Sequence, residues 1–346
     1  MFLYLLCGVN NAMNSKERFL AACARKGVDR PPVWLMRQAG RYLPEYRSIR
    51  ANYDFLEMCK TPSIACEISL QPWLRYHMDA VIVFSDILFI PEALGLTLTF
   101  RRDEGPKLSP LLKNTADVDS LKKVDAEKAF DFVYSSLKLV REKLPKDVPL
   151  IGFSGAPWTL AYYMTGDRAN EWIPKDKEAL KKLLSKITDV VIDYVKLQQK
   201  AGADVIQIFD TWAGELSRED FTELALPCLK RIVSEGKVSA PFIIYCRKCH
   251  HILNELADTG ADAISIDPDT PIEEAIKVIG DRVAIQGNLD PKLLTTTEGF
   301  VRQEVSRLLS KIKGRNGHII NLGHGILQTS NVECVESFVE TVKHSL

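Results

Sequence analysis

Eight short apolar runs, at 33–36, 80–84, 150–153, 205–209, 242–245, 263–266, 283–285 and 318–321, recur along this 346-residue chain. Most are nearly continuous rather than alternating, as in VIQIF and FIIY. That is how parallel strands covered on both faces read, whereas a sheet with one wet face alternates apolar and polar residues. Amphipathic stretches with the helical period, at 180–199, 221–235, 252–259, 271–279 and 297–313, lie between them. Parallel strands need long crossovers, which helices supply. Eight buried strands each followed by helix predict an α/β fold, a single (β/α)8 TIM barrel. A doubly wound sheet is the alternative, but no Gly-x-Gly-x-x-Gly loop follows a strand to support a dinucleotide site.

With 46% apolar residues the chain can fill one large core, and no Gly-, Pro- or Ser-rich linker divides it. Residues 13–346 are expected to form that one domain, with 1–12 as an N-terminal extension ahead of the helix start at Asn14-Ser15. The segment 95–147 interrupts the alternation with LTLTFRRDEGPKLSP, a hairpin pattern, and then a charged helical stretch. Lys+Arg and Asp+Glu balance at 45 each, so the global basic field that nucleic-acid binding usually needs is missing. Residues 2–9 are apolar but lack a basic flank and a clear small-x-small cleavage site. No later window gives an uncharged apolar stretch of membrane-spanning length. Eight scattered cysteines suit a reducing compartment. A cytoplasmic protein with free thiols is expected.

In a parallel barrel, function gathers at the C-terminal ends of the strands. The residues just past the runs are Arg37, Ser85-Asp86, Ser154-Gly155, Asp210-Thr211, Cys246-Arg247, Asp267, Gly287-Asn288 and Gly323-His324. Arg37, Arg41, Arg47 and Arg50 follow the first run within VWLMRQAGRYLPEYRSIR. Guanidinium is always charged and grips carboxylate or phosphate with a planar fork, so the loop suggests a polyanionic ligand. The bland reading is a solvated loop in which Glu45, Asp54 and Glu57 pair with these arginines. Asp86, in VIVFSDIL, is placed to accept ligand N–H bonds or to stabilise positive charge, or else to cap the next helix. Asp210 and Asp267 have similar positions. Gly152, Ser154 and Gly155 would let a ligand approach the backbone. Of Tyr162 and Tyr163 on the following helix, one must face inward. His324 stands between two glycines after the last run.

Cys246-x-x-Cys249-His250 has the spacing of a c-type haem attachment site, which would need export, and also of two thiolates and a His for zinc. Chance proximity is the simplest account of it.

Together, MRQAGRYLPEYR (36–47), FSDIL (84–88), GFSGAPWTL (152–160), IFDTWAG (208–214), QGNLDP (286–291) and NLGHGI (321–326) resemble the signatures of the uroporphyrinogen decarboxylases, in that family's order. The resemblance runs from about residue 15 to residue 345. It implies a cofactor-free carboxy-lyase, usually a homodimer. Such an enzyme converts the four acetate arms of uroporphyrinogen III to methyls and gives coproporphyrinogen III for haem synthesis. It places the substrate loop on Arg37, Gln38, Ala39, Gly40 and Arg41, with Arg50 nearby. The central carboxylate falls on Asp86, the tyrosine on Tyr163, a hydroxyl on Thr211 and the late histidine on His324. Ile82 and Phe153 would line the apolar part of the cleft. Thr211 stands where serine is common, Gln328 where many bacterial members have proline, and the cysteine pair is not an expected feature. Zinc-dependent methyltransferases that share this barrel are the alternative, although no third thiol stands directly after the last run to complete their site.

Overall fold

The computed structural model describes residues 12–101 and 105–345. Residues 1–11 of the expected N-terminal extension lie outside the described residues. The strands are β1 (Val81–Ile82), β2 (Thr97–Arg101), β3 (Gly105–Ser109), β4 (Leu150–Gly155), β5 (Val205–Asp210), β6 (Phe242–Cys246), β7 (Ala263–Ile266), β8 (Ala284–Leu289) and β9 (His318–Leu322). Seven form one sheet in the order β1-β4-β5-β6-β7-β8-β9, and every neighbouring pair is parallel. β2 and β3 make the antiparallel hairpin that the 95–109 pattern predicts. All residues of β4, β6, β7 and β9 are buried, the outcome expected of strands with no wet face.

The run at 33–36 is not a strand of this sheet. Val33 makes a single parallel bridge to Ile320. Beyond it the ladder groups go elsewhere: Leu35 N–H donates to Gln38 Oε1, Met36 N–H donates to Asn321 Oδ1, and the Met36 carbonyl accepts from Ile326 N–H. Side chains have replaced the ladder, which periodicity cannot foresee. The segment still lies between β9 and β1, since Ile320 N–H donates to the Pro32 carbonyl and Asp79 N–H to that of Val33. Asp79, almost wholly buried, anchors it by accepting from Val33 N–H, Arg18 and Arg30.

The seven strands curl. Trp34 Nε1 donates to Gln286 Oε1 on β8 at 2.9 Å, and Gln286 Nε2 donates to Gln207 Oε1 on β5 at 3.1 Å. β6 and β7 separate β5 from β8 in the sheet, so this bond crosses the concave face. Buried amides tolerate that interior because each finds a partner.

The helical patterns form an outer layer. Lys177–Lys200 begins where Asp176 accepts from Ala179 N–H, and its stripe Leu180, Leu184, Ile187, Val191 and Val195 is buried against the sheet. The pattern at 221–235 is split into a π turn, Phe221–Ala225, and an α-helix, Leu226–Gly236. Pro227 has no N–H for a regular helical bond and sits at the junction, which accounts for the change of register. No helix among the described residues is long and apolar enough to cross a membrane.

Candidate active site

Polar residues from successive strand ends converge at the C-terminal rim of the sheet. Arg37 occupies the first position after the 33–36 segment, with a left-handed backbone (φ 61°) unusual for a residue with a side chain. Its aliphatic stem lies across Gly325. A Cβ on Gly325 would stand 2.4 Å from Arg37 Cδ and 2.9 Å from Nε, so this glycine makes room for the arginine. Gly323 is needed for a different reason, since its Cβ would stand 2.4 Å from Pro268 N.

The loop after Arg37 is held by its own side chains. Gln38 is fully buried, accepting from Leu35 N–H and donating to the Ala80 carbonyl at 3.1 Å, so its amide is engaged with protein. Tyr42 hydroxyl donates to the Gln38 carbonyl. Arg47 donates to the carbonyls of Arg41 and Tyr42, which makes it a staple for the loop. The acids expected to neutralise the loop are occupied elsewhere: Glu45 pairs with Arg75, while Asp54 and Glu57 form a reciprocal cap on the helix Phe55–Lys60. Burial pushes the Tyr46 hydroxyl up, while the nearby Arg50 charge pulls against that rise. Among the described residues Arg37, Arg41 and Arg50 have no carboxylate partner, although the chain is neutral overall. Ala39 and Gly40 are half-buried between them.

Asp86 follows β1 and is half-buried. One oxygen, Oδ1, accepts from Leu88 N–H at 2.8 Å, so the capping role and the site role coexist. Oδ2 has no hydrogen-bond partner among the described residues. Desolvation pushes the carboxyl up to about 6, while the Leu88 N–H and the Arg37 charge pull against that rise. Ile82 and Phe153, each 8% exposed, supply apolar wall at β1 and β4.

Tyr162 and Tyr163 divide as the helix period requires. Tyr162 stacks on Trp212 (4.6 Å between ring centroids), whose ring also lies against the Arg247 guanidinium at 4.7 Å. Tyr163 is half-buried and its hydroxyl bonds no other group among the described residues. Thr211, half-buried at the end of β5, likewise keeps its hydroxyl open. His324 stacks on Tyr245 and is held below its usual range, near 4, by desolvation and then by the charges of Arg37 and Arg247. It is neutral at ordinary pH.

A family model described as uroporphyrinogen decarboxylase (URO-D) matches residues 14–345. The chain belongs to the uroporphyrinogen decarboxylase family. It is 43% identical to a uroporphyrinogen decarboxylase of Chromohalobacter salexigens over 340 residues, covering 94% of this chain and 96% of the relative. A uroporphyrinogen decarboxylase of Chlorobaculum parvum is 40% identical over 344 residues, with 95% and 98% covered. A methyltransferase from Methanosarcina mazei has a similar fold, with TM-score 0.83, 23% identity, and 96% of this chain and 98% of that one covered. That likeness is one of fold.

Other strand-end residues are structural in this member of the uroporphyrinogen decarboxylase family. Asp210 is fully buried, and its Oδ1 accepts from Thr159 N–H and from Thr159 Oγ1 (2.7 Å), while Trp212 N–H donates to Thr159 Oγ1. This joins the helix that carries Tyr163 to the loop that carries Thr211. Asp210 Oδ2 has no partner among the described residues, and burial lifts the carboxyl to about 7. Asp267 accepts from Lys248 N–H and from Thr270 and Cys249. Burial first, then neighbouring acidic groups, raise the thiols of Cys246 and Cys249, so both stay protonated. Among the described residues no three His, Cys, Asp or Glu side chains gather as a metal site would require. Gly152 and Gly155 do not open backbone to a ligand: a Cβ there would strike Gln198 and Leu160, at 2.3 and 2.8 Å. Sequence reasoning passes over Tyr245 because it sits inside an apolar strand pattern, and it puts Arg247 at a strand end without a role because its neighbouring cysteines draw the chemistry.

Proposed function

We propose that Asp86, Arg37 and Tyr163 form the reacting centre of this decarboxylase, with Gln38, Ala39, Gly40, Arg41, Arg50, Ile82, Phe153, Thr211 and His324 holding the substrate. The reaction is the decarboxylation of uroporphyrinogen, acetate arms to methyls, giving coproporphyrinogen. Breaking the C–C bond of an acetate arm leaves an electron pair that needs a sink. The pyrrole itself can provide one: protonating the ring carbon beside the acetate gives a cationic ring, which accepts those electrons as carbon dioxide leaves. The resulting exocyclic methylene then takes a proton to become methyl, while the ring carbon gives its own up and the pyrrole is restored. Asp86 is suited to that cation. Its Oδ2 is open, and a carboxylate raised by desolvation gains most when N–H donors and positive charge arrive beside it. The open Oδ2 of Asp86, on a carboxyl that feels the Arg37 charge while Arg37 has no carboxylate partner among the described residues, is the observation that carries the reading.

Arg37 and Arg41 supply forks for the substrate's side-chain carboxylates, and Arg50 adds charge at the loop's far end. Arg37 and Tyr163 are the side-chain donors assigned to the ring proton or to the water that carries it. Gln38 acts through the backbone it fixes, since its amide is already engaged. The reading also takes the 33–36 segment as the eighth stave of a (β/α)8 barrel, supported by its bonds to β9 and to Asp79. It includes a cofactor-free homodimer in the cytoplasm, supported by membership of the family.

Anaerobic incubation of metal-stripped protein with uroporphyrinogen, followed by chromatography of the oxidised products, tests it. Stepwise loss of carboxylates to the four-carboxylate product is expected. Folded protein that converts nothing until zinc is added would move the assignment to a metal-dependent reaction.

A further inference from the structure

Tyr245 is buried in β6, 1% exposed, and its hydroxyl has two neighbours: Nδ1 of His324 at 3.1 Å and the Gly323 carbonyl at 3.0 Å. The two rings lie parallel, 8° apart with centroids 6.0 Å apart, so the imidazole is fixed by both face and edge. A phenol has one hydrogen to donate, and a carbonyl can only accept. Both contacts are therefore hydrogen bonds in one assignment alone: the hydroxyl donates to Gly323, and Nδ1–H donates to the hydroxyl. Gly323 cannot turn its carbonyl away, because its N–H donates to Leu289 at 2.8 Å and its Cα is pressed against Pro268.

We propose that Tyr245 is a positioning residue that sets the tautomer of His324, so that Nε2 meets the substrate as a hydrogen-bond acceptor. Nε2 has no partner among the described residues, and Arg37 and Arg247 both act on this ring. Their positive charges oppose a second proton and favour a lone pair on the open edge. An acceptor there selects an N–H or O–H donor of the ligand, such as a pyrrole N–H or a carboxyl that has kept its proton. It repels a carboxylate, which the arginines take instead. The ligand part of this inference rests on the function proposed above; the tautomer does not.

His318 supplies the opposite case within the same molecule. Its Nε2 lies 3.1 Å from the Gly287 carbonyl, so Nε2 must carry the proton, and Nδ1 has no partner among the described residues.

The test is the two-bond 1H–15N spectrum of the full chain labelled at its six histidines, without substrate and near neutral pH. His324→Gln identifies the resonance. His324 is expected to show the Nδ1–H pattern while His318 shows the Nε2–H pattern, and Tyr245→Phe is expected to abolish the former. An Nε2–H pattern for His324 in the unmodified protein overturns the proposal, whether or not the variant folds. An unchanged pattern in Tyr245→Phe does so too. With uroporphyrinogen, loss of one fixed hydrogen bond should raise KM about fivefold and leave kcat within about twofold. An unchanged KM overturns the substrate role. If the unmodified protein turns over no uroporphyrinogen, the function proposal fails while the tautomer is still decided by the spectrum.

Discussion

Gly325 lies directly against the Arg37 side chain, leaving no room for a methyl group beside Cδ. Gly325→Ala should therefore move the guanidinium without touching its charge. Misplacing a binding group by about 1 Å can cost about a hundredfold in rate, so kcat/KM should fall by ten- to a hundredfold at roughly unchanged melting temperature. Steady-state kinetics beside a thermal melt check this, and near-normal kcat/KM would remove Arg37 from the site.

Asp86 should be both necessary for turnover and costly to the fold. Asp86→Asn should lose at least about a thousandfold in kcat, the scale of removing a preorganised electrostatic partner. In the intact enzyme kcat/KM should fall as pH drops through about 6, where the carboxylate takes up a proton. The folded protein holds that proton at a pH where the unfolded chain, near 3.8, has lost it. Stability from this group is therefore lost as pH rises through the window between those values. Asp86→Asn should melt higher than the parent at neutral pH, with the gap closing towards pH 4. A variant that melts lower at neutral pH would contradict the desolvated carboxylate.

His318 has the opposite linkage. Burial holds it near 4 against an ordinary 6.5, so the unfolded chain binds the proton first as pH falls. Its contribution is intact above about 6.5 and is lost from there down to about 4, with a slope approaching about 1.4 kcal/mol per pH unit. His318→Gln should flatten the acid side of the stability curve, as measured by urea unfolding at several pH values. An unchanged slope would show that the ring charges in place.

Thr159→Val removes the hydroxyl that Asp210 and Trp212 share while keeping its shape. The buried carboxyl then loses its strongest partner, at a cost of about 1–3 kcal/mol. Because the same hydroxyl ties the Tyr163 helix to the Thr211 loop, KM should rise more than kcat falls. Kinetics unaffected by this loss of stability would mean the tie is structural alone.

Cys249→Ser keeps a donor for Asp267 and Thr270, and Cys246→Ala removes a thiol that is protonated and buried. Each variant should retain activity within about threefold, with Cys246→Ala destabilised by about 1 kcal/mol. Loss of activity in both, restored by neither substrate nor time, would revive a thiolate metal site.

The apolar runs determined most of the architecture. A strand buried on both faces must be apolar throughout, and seven of the eight runs became neighbours in one parallel sheet for that reason. The boundaries moved where polar chemistry lay at the ends: β4, β5 and β8 each run past their apolar cores into Gly155, Asp210 and Leu289. The 33–36 run was read correctly as buried and incorrectly as a full strand, because Asn321 and Gln38 take ladder positions that only folding brings near.

The sequence by itself determined that Arg37, Asp86, Thr211 and His324 would share one rim, because parallel strands carry their C-terminal ends to the same side. It also carried the family, through motifs whose order survives in the linear chain. Tertiary structure decided which partners those residues have. Whether Arg47 staples a loop or meets a ligand, whether Gly155 faces a substrate or Leu160, and which tautomer His324 adopts all depend on groups far away in sequence. Tyr245 and His324 are 79 residues apart, and neither position announces the other. Hydrogen bonds and desolvation act over a few ångströms of space, so they are settled only once the chain has closed.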